Sequence, residues 1–146
     1  MENCRDVAAA IVIDASGRFL MQQRDDKPGV LYPGKVGLFG GHREGDESFL
    51  ECVVRELHEE LSYFIAPDRF EHVWTYQGPD WENGDGALHG EFFVVRDVPF
   101  EQVIVTEGTL MVVGPHAIGE LGSRLTPGAA LVMDAYSAKQ ASAKHR

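Results

Sequence analysis

The chain is poor in cysteine, in positive charge and in long apolar runs, and each shortage narrows what it does. Its two cysteines, Cys4 and Cys52, are too few for a disulfide framework in 146 residues, and their separation fits no zinc-ligand pattern. Cys4 is read as lying near a terminus and Cys52 as a small packed residue on a helix. Thirteen lysines and arginines against twenty-three acids give a formal net charge of −10. Long nucleic acid is thereby a poor partner, because binding a phosphate backbone requires a basic surface that releases counterions. The apolar stretch from Val7 to Ile13 is short and follows acidic residues, so it suits neither a membrane span nor a secretory leader. The expectation is a soluble, cytoplasmic protein with no membrane partner. At this length, 44% hydrophobic residues suffice for one core, and residues 1–146 are read as a single domain.

What is present reads as alternating strands and helices. Val7 to Ile13 and Phe19 to Arg24 form an expected hairpin around the turn Asp14-Ala15-Ser16-Gly17-Arg18. Asp25 to Gly45, rich in proline and glycine, is expected to be loop with a short strand near Val36 to Phe39. Leu50, Val54, Leu57 and Leu61 recur at helical spacing, which predicts a helix from about Glu47 to Leu61 with those four residues facing the core. Strands follow at Phe70 to Tyr76, His89 to Val95 and Thr109 to Val113, the first two flanking a loop from Gln77 to Ala87. Thr126-Pro127 has the form of an N-cap and first helical residue, opening a helix to about Tyr136 and leaving Ser137 to Arg146 as a frayed tail. This order of elements predicts a mixed sheet covered on both faces.

Glu56, Glu59 and Glu60 share one arc of the central helix. An acidic arc is ordinarily a solvated face, but this one carries two costs. Like charges three and four residues apart each cost roughly 0.2 to 0.5 kcal/mol, and Arg55 is the one lysine or arginine between Glu44 and Pro67. The acids also occupy the C-terminal half of the helix, where the macrodipole disfavours negative charge. The same arc holds Phe49, Cys52 and Val53, which suit an enclosed face better than bulk water. Carboxylates converging on a hard divalent cation, magnesium or manganese, answer all three features. Such an ion also lets an acidic protein handle an anionic substrate. Gly40-Gly41 before the helix permits close approach of a backbone carbonyl to a ligand, or forms a plain turn.

The stretch Gly41-x5-Glu47-x7-Arg55-Glu56-Leu57-x-Glu59-Glu60-x-Ser62-Tyr63 resembles the Nudix box, Gly-x5-Glu-x7-Arg-Glu-U-x-Glu-Glu-x-Gly-U, with U a bulky apolar residue. Every charged position matches, and Ser62 stands where the box has glycine. Looser similarities run from Tyr32-Pro33-Gly34-Lys35 through Glu107-Gly108 to Leu125-Thr126-Pro127. The resemblance implies an α/β/α sandwich with a mixed sheet, and magnesium-dependent hydrolysis of a nucleoside diphosphate linked to another group, with manganese as a possible substitute. It implies Glu59 and Glu60 as principal metal ligands, Glu56 as a further ligand or the base that activates water, and the Gly40 carbonyl as another ligand. Arg55 would hold a box carboxylate and pair with Glu47, and Glu107 would serve as ligand or rival base.

Substrate hints are sparser. Trp74, Tyr76 and Trp81 flank one loop, where they either stack on a base or belong to the core, and His42 either meets a phosphate or is an exposed loop residue. In some ADP-ribose-cleaving relatives a proline follows the box where this chain has Pro79, although Gly78-Pro79-Asp80 is also an ordinary turn. Oxidised or unmodified nucleoside triphosphates, ADP-ribose and nucleotide sugars all remain open as substrates. So do two other readings, a nucleotide-binding regulator without turnover and a prenyl diphosphate isomerase. Homodimers are common among such enzymes.

Overall fold

The computed structural model describes residues 4–144. Its strands are β1 (Cys4–Asp14), β2 (Phe19–Gln23), β3 (Val36–Gly37), β4 (Phe39–His42), β5 (Glu71–Pro79), β6 (Ala87–Val98) and β7 (Thr109–Val113). Its helices are α1 (Phe49–Leu61), the single turn α2 (Ile118–Leu121) and α3 (Pro127–Lys144). The sheet runs β3-β2-β1-β6-β5, with β4 joined to β1 and β7 to β2. β1 and β6 are parallel and the other pairs antiparallel, so the sheet is mixed as expected.

Alternation along β1 builds the layers, because successive side chains of a strand point to opposite faces. Ala8, Ala10 and Val12 join Val53, Leu57 and Leu61 of α1 in one core. Ile11 and Ile13 join Val132, Met133 and Tyr136 of α3 in the other. The result is the α/β/α sandwich.

Several boundaries differ from expectation. The glycine loop is strand: Ala9 pairs with Gly40 and Ala8 with Gly41, which ties both glycines to the central strand. β5 runs on through Pro79, which a sheet edge tolerates because the missing N–H is not needed by another strand. The intervening loop is therefore only 80–86. α3 continues through Lys144, so residues 137–144 are helical where a frayed tail is expected; Tyr136, in the middle of the helix, is buried. Residues 145–146 lie outside the described part.

α1 starts one residue beyond Ser48, whose side chain accepts from the Glu51 N–H while the Glu51 carboxylate accepts from the Ser48 N–H, a capping box written in the sequence as Ser-x-x-Glu. It ends at Ser62 in the left-handed conformation, φ 52° and ψ 35°, where the box pattern has glycine. The buried stripe of the helix is rotated from the one that its leucines and valines mark. Cys52, Val53, Leu57 and Leu61 are buried, while Leu50 and Val54 are only partly covered. That rotation puts Glu56 and Glu60 on the flank of the buried stripe and not on the far side.

Candidate active site

Gly40 lets β4 lie tight against β1, and Gly41 lets α1 lie close to β4. Gly40 has φ 152°, and a Cβ there would stand 2.3 Å from the Ala8 carbonyl oxygen. A Cβ on Gly41 would stand 2.5 Å from the Glu56 carboxyl carbon. A side chain at Gly40 would collide with the backbone of β1, and one at Gly41 would push α1 and its acids away.

Into this contact the helix sends Glu60, whose Oε1 accepts a hydrogen bond of 2.8 Å from the Gly40 N–H. Burial pushes the Glu60 carboxyl up to about 8; the Gly40 N–H opposes the shift, and the charges of Glu56, Glu107 and Glu59 add to it. Burial likewise raises Glu56, against the opposing pull of Arg55. Arg55 ties the other acids together. Its Nε donates to Glu47 Oε2 at 2.5 Å and its Nη2 to Glu47 Oε1 at 3.0 Å, while Nη1 donates to Glu56 at 3.0 Å and Glu59 at 3.3 Å. The Arg55 guanidinium, helped by the Glu44 N–H, holds Glu47 down at about 2. Nη2 also donates to the His42 carbonyl, which binds the helix to the end of β4.

Glu107 arrives by a route that the sequence does not announce. The segment before β7 closes the C-terminal end of α1: the Ile104 and Thr106 N–H groups donate to the Leu61 and Glu60 carbonyls at 2.9 and 3.1 Å. Those carbonyls have no partner within the helix itself. Gln22, a buried polar residue of β2, donates from Nε2 to the Glu107 carbonyl at 2.9 Å. These bonds set Glu107 near enough for its charge to raise Glu60.

Among the described residues, no three histidine, cysteine, aspartate or glutamate side chains stand together as a metal cluster. The expected convergence of carboxylates is thus only partial, because Arg55 engages Glu56 and Glu59. The donor set nevertheless fits a hard divalent cation. It consists of carboxylate oxygens, and Glu60 is a desolvated acid facing further acids, a state that a cation relieves.

Beside the acids lies a cleft of about 270 Å³, lined among others by Arg5, Tyr32, His42, Trp81, Thr126 and Gly128. A second hollow of about 690 Å³ opens between the loop after β2 and Glu107, and Arg24 and Leu31 border both. His42 and Trp81 therefore line the first cleft, as one of their two readings requires. Trp74 does not; its ring packs on Phe92 and Tyr76, at centroid distances of 5.7 and 5.9 Å, against the α3-side core. Glu107 is found at the second hollow. Arg5, Arg24 and Tyr32 are cleft residues that sequence reasoning missed; the left-handed φ of Tyr32, 53°, has no signature in an aromatic residue followed by proline.

A sheet sandwiched between helices, with an arginine-bridged acidic helix laid on a glycine pair, is the arrangement of a NUDIX domain. A family model for that domain matches residues 4–113, and the chain belongs to the Nudix family. Solved structures agree with the fold. The E. coli ORF135 protein is 26% identical, with a TM-score of 0.74 over 96% of this chain and 93% of its own. A MutT protein from Methanosarcina mazei Go1 is 21% identical, with a TM-score of 0.74 over 97% and 96%. A bifunctional NMN adenylyltransferase/ADP ribose pyrophosphatase from Francisella tularensis is 17% identical, with a TM-score of 0.72, and aligns 92% of this chain with 40% of its own.

Proposed function

We propose that the protein is a magnesium-dependent hydrolase that cleaves the diphosphate bond of a nucleoside diphosphate linked to another group, within one Nudix domain spanning residues 1–146. The observation that carries this reading is Glu60, a desolvated carboxylate pinned to the Gly40 N–H and surrounded by the charges of Glu56, Glu59 and Glu107. Glu56, Glu59 and Glu60, with the Gly40 carbonyl and Glu107, would hold magnesium or manganese. When bound, the ion neutralises charge on the phosphate oxygens and favours water as a nucleophile.

The residues of the chain do the rest. A nucleoside enters the 270 Å³ cleft and stacks on Trp81, so that its phosphates pass His42 and Gly41 toward the acids. Water attacks phosphorus in line with the bridging oxygen, the P–O bond on the far side breaks, and the water's proton passes to a carboxylate. Glu56 and Glu107 are the two candidates for that base. Arg55 keeps Glu56 in place through the Glu47 pair and acts on the reaction only through it.

The ADP ribose pyrophosphatase and MutT names among the similar structures set the substrates to try. The test is a magnesium-dependent screen of nucleoside triphosphates, oxidised guanine nucleotides, ADP-ribose and nucleotide sugars, with products identified. Metal-dependent release of a nucleoside monophosphate from one of them supports the reading. Nucleotide binding without turnover across the set would replace it with a regulatory role.

A further inference from the structure

Arg5, at the start of β1, makes more polar contacts than its place near a strand end requires. Its Nε donates to Asp80 Oδ2 at 2.6 Å and its Nη2 to Asp80 Oδ1 at 2.8 Å. Nη2 also lies 3.0 Å from Glu82 Oε1, and Nη1 donates to His42 Nε2 at 2.9 Å. One guanidinium thus bridges the loop 80–86 to the end of β4, across the mouth of the cleft. Asp80 is closed off beneath it with a side chain 0% exposed, and also accepts from the Glu82 N–H at 2.9 Å. Arg5 holds the Asp80 carboxyl down at about 2.

The residue between Asp80 and Glu82 is Trp81. Its indole rests over Gly128 in the first turn of α3, where a Cβ would come within 3.0 Å of the ring, and beside Tyr76 at a centroid distance of 4.7 Å. Gly128 does not have a positive φ, so its lack of a side chain serves the approach of the indole. We propose that Arg5 is a positioning residue for substrate: through Asp80 it holds Trp81 against Gly128, and that seat presents the indole face on which a nucleobase stacks. This inference rests on the hydrolase reading for the identity of the ligand. The seat itself can be measured without turnover.

The test uses a Trp74→Phe background, which leaves Trp81 as the one tryptophan of the chain. Arg5→Met and Gly128→Ala should each move Trp81 emission to longer wavelength and increase its quenching by acrylamide. The kinetic probe is whichever magnesium complex, of the four deoxynucleoside triphosphates and ADP-ribose, the parent turns over best. Each variant should raise KM by about tenfold, the worth of a base–aromatic stack, while kcat changes by less than about threefold. In a Trp81→Ala background, Arg5→Met should raise KM no further, because both changes remove one interaction. Gly128→Ala touches neither the ion pair nor the acids, so it decides the matter if Arg5→Met fails to fold. Unchanged emission in both variants overturns the proposal, as does a fall in kcat at constant KM or a full additive effect of Arg5→Met without Trp81. Absence of turnover with every probe would sink the hydrolase reading instead, and the emission result would still decide the seat.

Discussion

At the scale of single residues, burial separates acids that look equivalent in the sequence. Glu59 is an exposed side chain, Glu56 is largely covered and paired with Arg55, and Glu60 is desolvated against Gly40. The spacing that identifies the box therefore says which acids belong together but not how each is held. The glutamates were legible because spacing is sequence information. Arg5 and Asp80, far apart in the chain and brought together by β1 pairing with β6, left no local signal.

Asp80 also carries a prediction about pH. Its carboxyl is lowered in the fold, so the stability it contributes is complete above the unfolded value near 4 and disappears as pH falls through about 2. Urea midpoints of the wild type and Asp80→Asn should therefore differ at pH 5 and converge between about pH 4 and 2. A constant difference across that window would show that the ion pair contributes nothing to folding.

At the scale of elements, α1 shows what periodicity reads and what it misses. The helix was legible from its apolar spacing, and its start from Ser48-x-x-Glu51. Its buried stripe was not, because apolar residue type marks Leu50 and Val54 while packing on the sheet buries Cys52 and Val53. The helix exit offers a second test. Ser62 holds a left-handed conformation that costs a non-glycine residue on the order of 1 kcal/mol. Ser62→Gly should accordingly raise the stability measured by urea denaturation by about that amount, with turnover retained. Lower stability would place the cost of the helix end elsewhere. The extent of α3 was hidden for another reason. Residues 137–143 are small or polar and mostly exposed, so no apolar pattern distinguishes a continuing helix from a frayed end.

At the scale of the whole molecule, the acidic charge and the acidic site belong to one physical picture under the proposed function, in which a cation would mediate every dealing with phosphate. With a net charge of −10, the protein should not retard duplex DNA in a mobility assay at physiological salt, with or without magnesium. Retardation would mean that the fold gathers its few basic residues into a phosphate-binding surface. Binding of magnesium or manganese should raise the thermal midpoint, since a ligand at a hundred times its dissociation constant stabilises a fold by about 2.7 kcal/mol. Glu60→Gln should reduce that rise.

The sandwich itself was legible from element order. The joining of Gly40-Gly41 to β1 as a strand, and the closing of α1 by the segment that brings Glu107, are tertiary pairings that no local pattern records.

The proposed function makes Glu60 part of the reacting centre and not merely a buried acid of the core. The measurement that tests this most directly is magnesium-dependent turnover by Glu60→Gln, on whichever substrate the wild type hydrolyses, alongside its circular dichroism and urea midpoint. A variant that folds like the wild type yet keeps less than about a tenth of its rate, a barrier increase above about 1.4 kcal/mol, is the predicted result. A folded variant that keeps more than that would contradict the assignment.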